Sequence, residues 1–171
     1  MNTSQKINTL MLINRQNQIG GLSIKFGYKD SKSHQFVSGW SIYAYHREGV
    51  PSFAATVDNA LDKYIMSLKR CGYIILPHLS EITGETNHTD LLNLLHKLEV
   101  WIKQFDNWVF TLYYSHDKQP QCSAYITMGF TTHELLLQKT AQLHTACLQL
   151  WNIVKNINTE EELKQIVYKS L

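Results

Sequence analysis

The sequence predicts an α+β protein: a single two-layer domain of 171 residues, with helices packed on one face of an antiparallel sheet of about five strands. Three observations predict it. Alternating apolar residues fall in two blocks, residues 1–48 and 108–130. Other stretches carry apolar residues at helical spacing. Strands and helices do not alternate one by one, as a doubly wound parallel sheet requires. A hydrophobic fraction of 44% against 18% charged suits a chain with a packed core. There is no internal repeat, low-complexity tract or linker, so residues 1–171 read as one domain.

The first 48 residues read as strands. Leu10 to Asn14 is a short apolar run, and Gln18–Gly21 is a turn in which paired glycines reach positive φ. From Leu22 the chain alternates, with Leu22, Ile24, Phe26 and Tyr28 on one face and Ser23, Lys25 and Gly27 on the other. After a polar loop, Phe36–His46 puts Trp40, Ile42 and Ala44 on one face and Val37, Tyr43 and Tyr45 on the other. Pro51 and Ser52 then open a helix, with Ser52 as N-cap and Ala54, Val57, Leu61, Tyr64, Ile65 and Leu68 at helical spacing up to Gly72.

Tyr73–Leu76 is a short apolar run, and residues 78–88 form the least structured stretch. Thr89 caps the next helix, whose stripe is Leu91, Leu94, Leu95, Leu98, Trp101, Ile102 and Phe105. Strands return at Trp108–Tyr114 and Cys122–Phe130. Thr131 and Glu134 match a capping box ahead of a long helix carrying Leu135, Leu136, Leu143, Ala146, Cys147, Leu150 and Val154. Thr159 and Glu162 repeat that pattern before a last helix running to about Lys169. This order leaves one sheet face covered by helices and one partly open and aromatic.

Catalytic signals are missing. None of the eight histidines stands in an HxH or HxxxH spacing, and the pairs His46/Glu48 and His144/Cys147 lack a third partner, so no metal is expected. Cys71, Cys122 and Cys147 form no CxxC, and an odd count argues against a disulfide framework. Neither a GxSxG elbow nor a phosphate-cradling glycine motif occurs, so no nucleotide cofactor is expected. The richest acid–base stretch is His78, Glu81, Glu85, His88 and Asp90, a loop composition that solubility alone explains. The absence of a leader and of any apolar run long enough for a membrane makes the cytoplasm the expected compartment.

Charge is uneven. Residues 1–47 hold six basic groups and one acid, Asp30, whereas the rest of the chain is net acidic. The candidate binding residues are therefore Lys25, Lys29, Lys32, Tyr43, Tyr45 and Arg47, cations beside aromatic rings. With low charge density, nine Tyr and four Trp, the leading expectation is a non-catalytic protein-binding adaptor or inhibitor. A bacterial or phage accessory protein antagonising a host-defence complex fits that profile. The rival expectations are a nucleic-acid binder using the basic amino-terminal lobe, and an enzyme with a His/carboxylate site in the 78–90 loop. Homodimerisation fits all three. On the nucleic-acid reading, charge reversal at Lys25, Lys29 and Arg47 abolishes a gel shift that weakens steeply with salt; an unaltered shift in the triple variant counts against it.

Overall fold

In a computed structural model of the chain, the described residues are 1–16, 21–44, 51–73, 88–116, 120–129 and 135–169. They form helix α1 (Thr3–Gln16), strands β1 (Leu22–Lys29), β2 (Phe36–Ala44) and β3 (Ser52–Ala54), and helices α2 (Val57–Arg70) and α3 (His88–Ile102). Strands β4 (Trp108–His116), β5 (Pro120–Met128) and β6 (Leu135–Thr140) follow, then helices α4 (Leu143–Val154) and α5 (Glu160–Lys169). All strand pairs are antiparallel, in the order β3-β2-β1-β4-β5-β6. The fold is α+β, with six strands rather than five.

Three segments differ from the sequence reading. The apolar run Leu10–Asn14 belongs to helix α1, not to a strand. Ile7, Leu10 and Met11 are buried at helical spacing, but buried Thr3, Lys6, Asn8 and Thr9 between them mask the period. The helix start is nonetheless written in the sequence. The Asn2 side chain accepts from the Gln5 N–H and the Gln5 side chain accepts from the Asn2 N–H, each at 2.9 Å.

Ser52 does not cap a helix. It sits in β3 opposite Ile42 and its hydroxyl donates to the Ala60 carbonyl at 2.7 Å, while Thr56 accepts from Asn59 N–H and caps α2. The third difference is at Leu135–Thr140, which extends as β6 along β5, so α4 starts only at Leu143. Thr131 and Glu134 lie outside the described residues, as do the turn at 17–20 and residues 74–87. The second capping box forms as expected, with the Glu162 carboxylate accepting from Thr159 N–H and the Thr159 hydroxyl accepting from Glu162 N–H, both at 3.2 Å.

The core lies between the sheet and the helices. Leu22, Ile24 and Phe26 of β1, Trp40 and Ile42 of β2, Phe110 and Leu112 of β4, and Ala124 and Ile126 of β5 join the helix stripes in one buried cluster. Its centre is aromatic. Phe26 and Phe110 face each other across the β1–β4 ladder, and the Trp40 ring meets each edge-on, with centroids at 5.4 and 6.4 Å.

The described elements repeat an order that the sequence does not display. α1-β1-β2-β3-α2 is followed by α3-β4-β5-β6-α4, and the two triplets of strands flank the β1–β4 pair symmetrically. Five of the six buried residues of α2 correspond to the buried residues of α4 at a constant offset of 86 positions: Val57 with Leu143, Ala60 with Ala146, Leu61 with Cys147, Tyr64 with Leu150 and Leu68 with Val154; the sixth, Ile65, corresponds to half-buried Trp151. Only one of these five pairs, Ala60 and Ala146, is identical. Burial pattern is shared where residue identity is not.

The first unit carries an ionic latch between its two helices. The Lys6 ammonium, its side chain 7% exposed, lies 2.9 Å from Asp58 and 2.8 Å from Asp62 on α2, and the Thr3 hydroxyl donates to Asp58. Burial pulls the Lys6 pKa down, but the bonds to Asp62 and Asp58 outweigh it and leave it above the usual lysine value. Burial likewise pushes Asp58 up, and the bonds from Lys6 and Thr3 outweigh it and hold its carboxyl below the usual range. The Asp58 contribution is present above the unfolded carboxylate pKa and lost as pH falls through the folded one. The Lys6 contribution is present below the unfolded lysine pKa and lost as pH rises through the folded one. Lys6→Met is expected to cost about 1–2 kcal/mol at pH 7, because it leaves two half-exposed carboxylates without their cation. In urea titrations the gap between variant and wild type should narrow below about pH 4; a gap unchanged at pH 3 would show that Lys6 acts by packing alone.

Candidate functional site

Two surfaces carry chemistry. The first is the sheet face turned away from the helices. Cross-strand rows there read Tyr43–Ser23–Tyr113–Ser123–Lys139 and Phe53–Ser41–Lys25–Thr111–Tyr125. Small hydroxyl residues alternate with large side chains, so Ser23 and Thr111 are buried between their neighbours. Gly21 is required at the edge of this face, because a Cβ there would lie 2.0 Å from the Tyr113 hydroxyl. No strand contains an Asp or Glu.

The sequence-predicted residues divide on this face. Lys25 and Tyr43 come together, the ammonium 5.3 Å from the ring centroid. Lys29 and Lys32 lie at the β1–β2 hairpin, four and more residues along, which separates them from Lys25 by about 13 Å of strand. Asp30 organises that hairpin: its carboxylate accepts from Ser33 and Lys32 N–H, and these bonds, Ser33 first, hold its pKa down. Tyr45 and Arg47 lie outside the described residues. Tyr28 departs from the alternation. Gly27 adopts φ +89° at a bulge, and beyond it Tyr28 turns to the Phe53 side, the two rings 4.6 Å apart.

The second surface is a groove of about 340 Å³ between α3 and α4, lined by His96, Lys97, Val100, Trp101, Gln104, Trp151, Lys155 and Asn158. Helical spacing explains the assembly: His96, Lys97 and Val100 share one face of α3, Gln104 lies in the turn that follows it, and Trp151 and the following Lys155 lie one turn apart at the end of α4. The floor is fixed. Trp101 is buried, donates its indole N–H to the Ile157 carbonyl at 2.9 Å, and packs on Phe105 at 5.0 Å. Trp151 forms a half-buried wall, with the Lys97 ammonium 6.0 Å from its ring.

The rim is apolar and cationic. Val100 is 64% exposed, and Leu148, one turn before Trp151, is 39% exposed. Neither Lys97 nor Lys155 has a carboxylate partner among the described residues; Lys155 instead donates to the Asn152 side chain at 3.1 Å. Nearby acids are engaged elsewhere. Glu99 accepts from the Trp40 indole at 3.1 Å, pairs with Lys103 and lies 3.7 Å from the groove's His96, Glu160 pairs with Lys164 at 2.8 Å, and Glu162 closes its capping box. Sequence reading missed this groove. Its signal was Val100, Leu148 and Trp151 falling off the apolar stripes of their helices, but nothing local says that α3 and α4 are neighbours.

Reactive groups are not gathered among the described residues. No group of three His, Cys, Asp or Glu there has metal-holding geometry. Cys122 and Cys147 are buried and Cys71 is exposed, all three as thiols. Residues 78–87, His46 and Glu48 lie outside the described residues, and Asp90 stands in the first turn of α3. No described helix is long and apolar enough to cross a membrane. The fold and surfaces define an α+β protein with a cationic sheet face and an indole-lined helical groove. Comparison with protein-family models, curated proteins and solved structures found no match.

The groove's electrostatics are open to measurement, because Trp40, Trp101 and Trp108 are buried and Trp151 is not. Iodide should quench the Trp151 emission about twofold or more better than caesium at low salt, and Lys97→Glu with Lys155→Glu should invert that order. Equal quenching by both ions would show that the lysines impose no local field.

Proposed function

We propose that the protein is a non-catalytic binding module, an adaptor or inhibitor that engages another protein through the α3–α4 groove. The observation that carries this reading is the groove itself: a buried indole floor held by a hydrogen bond, exposed Val100 beside it with Leu148 one turn before Trp151, and lysines without carboxylate partners among the described residues. Interface centres favour such aromatic anchors in pockets, ringed by polar groups that exclude water. Single exposed apolar residues are common, and Phe53, Met66 and Ile153 are others; what distinguishes Val100 is its place in one groove with two indoles and two lysines.

Site-specific photo-crosslinking tests the reading in cells that make the protein natively. A photoreactive residue at position 100 or 148 should give discrete protein-sized adducts that one at Glu161, on α5, does not. Identical patterns from all three positions, or none, would remove the groove as a binding surface. The sheet face supports a second reading, nucleic-acid binding, because its strands hold Lys25, Lys29 and Lys139 and no acid. That reading requires Lys25→Glu to weaken single-stranded oligonucleotide binding while Lys97→Glu does not.

A further inference from the structure

Resting on the protein-binding reading, we infer that the α3–α4 groove takes a short segment of a partner protein that is both acidic and apolar. One or two large apolar side chains seat against Trp101, Trp151 and Val100, and carboxylates beside them reach Lys97 and Lys155.

Three observations carry the occupant's chemistry. The groove, about 340 Å³, holds a few side chains, which a short segment supplies. Its cations are uncompensated: Lys97 and Lys155 have no carboxylate partner among the described residues, and Glu99, Glu160 and Glu162 are held by other groups. A neutral apolar segment laid over these ammonium groups would strip their water and return nothing, whereas a carboxylate on the segment replaces that water with an ion pair.

The third observation comes from the repeated element order. In the first unit the helix pair is laced by Lys6 to Asp58 and Asp62 on α2. At the 86-residue offset that aligns the buried faces of α2 and α4, those two acids correspond to His144 and Leu148. The second helix pair therefore lacks the acidic side of that latch. Lys97 and Lys155 are not counterparts of Lys6, since at the same offset they fall on Met11 and Lys69. What the two helices show is that α4 offers no carboxylate where α2 offers two, so a carboxylate for these lysines comes from an incoming segment.

A random-peptide display library tests this on the full chain, with peptides that still bind Val100→Arg removed. Val100 is 64% exposed, so matching urea midpoints are expected for this variant and confirm that its fold is intact. The surviving peptides are expected to combine Leu, Phe or Trp with Asp or Glu, and to shift the Trp151 indole N–H resonance. Their binding should weaken about tenfold or more in Lys97→Glu/Lys155→Glu, and again between 50 and 500 mM salt. Groove-dependent peptides without acidic enrichment, bound equally by the double variant, would overturn the inference and leave the protein-binding reading standing. No groove-dependent peptide at all, or displacement of groove ligands by single-stranded oligonucleotides, would overturn both.

Discussion

The pairing of β1 with β4 is the constraint on which the rest of the structure depends. Without it there are two three-stranded pieces, each with a helix pair and half a core. With it, Leu22, Ile24 and Phe26 stand opposite Tyr114, Leu112 and Phe110, and a single apolar floor extends under all the helices that touch the sheet. Small three-stranded units bury too little surface to offset the entropy of ordering them. Joining two along their β1 and β4 edges solves this and leaves β3 and β6 as the edges of the described sheet. β3 is three residues long and β6 presents Lys139, which are two of the devices by which sheets discourage further pairing.

The face opposite the helices obeys a different rule. None of the described helices is assigned to it, yet Ser23, Ser41, Thr111 and Ser123 are almost wholly inaccessible. Their neighbours cover them: rows that alternate Tyr or Lys with Ser or Thr let each large side chain lean over a small one. The cation–π contact of Lys25 with Tyr43 and the packing of Tyr113 over Gly21 are local instances. An aromatic count therefore overstates how much ring surface this face offers to a ligand, and that is why the helical groove, rather than the tyrosine rows, is the better candidate for contact.

How much of this the sequence disclosed follows from which signals are local. The helices with clean stripes, α2 and α3, the alternating strands β1, β2, β4 and β5, and the reciprocal Thr159/Glu162 cap depend on neighbours a few residues apart, and they read correctly. Helix α1 did not, because Lys6, Asn8 and Thr9 are buried by partners elsewhere, such as Asp58, and break the apolar period. Strand β6 did not, because the run Leu135–Leu137 has no period and only the edge of β5 decides its conformation. Ser52 and Thr56 are equally good caps on paper, and the choice was made by the β2 edge claiming Ser52. Of the candidate site, Lys25 and Tyr43 were legible as separate candidates, but their contact depends on the β1–β2 register, and the groove exists only where two distant helices meet.

The two helix pairs make the strongest functional argument because they share a frame and differ in what fills it. The pairs α1–α2 and α3–α4 hold equivalent places in the element order, and the buried faces of α2 and α4 match at five positions, differing where buried Ile65 is replaced by half-buried Trp151. Stability alone would favour closing both clefts. The first is closed, with a buried ammonium satisfied by two carboxylates and a hydroxyl presented to one of them. The second has no acids at the places of Asp58 and Asp62, and its groove holds Lys97 and Lys155 without carboxylate partners among the described residues, beside exposed Val100. A cationic, apolar cleft that the same fold closes elsewhere with its own side chains is better explained by contact with something outside the chain than by any need of the core.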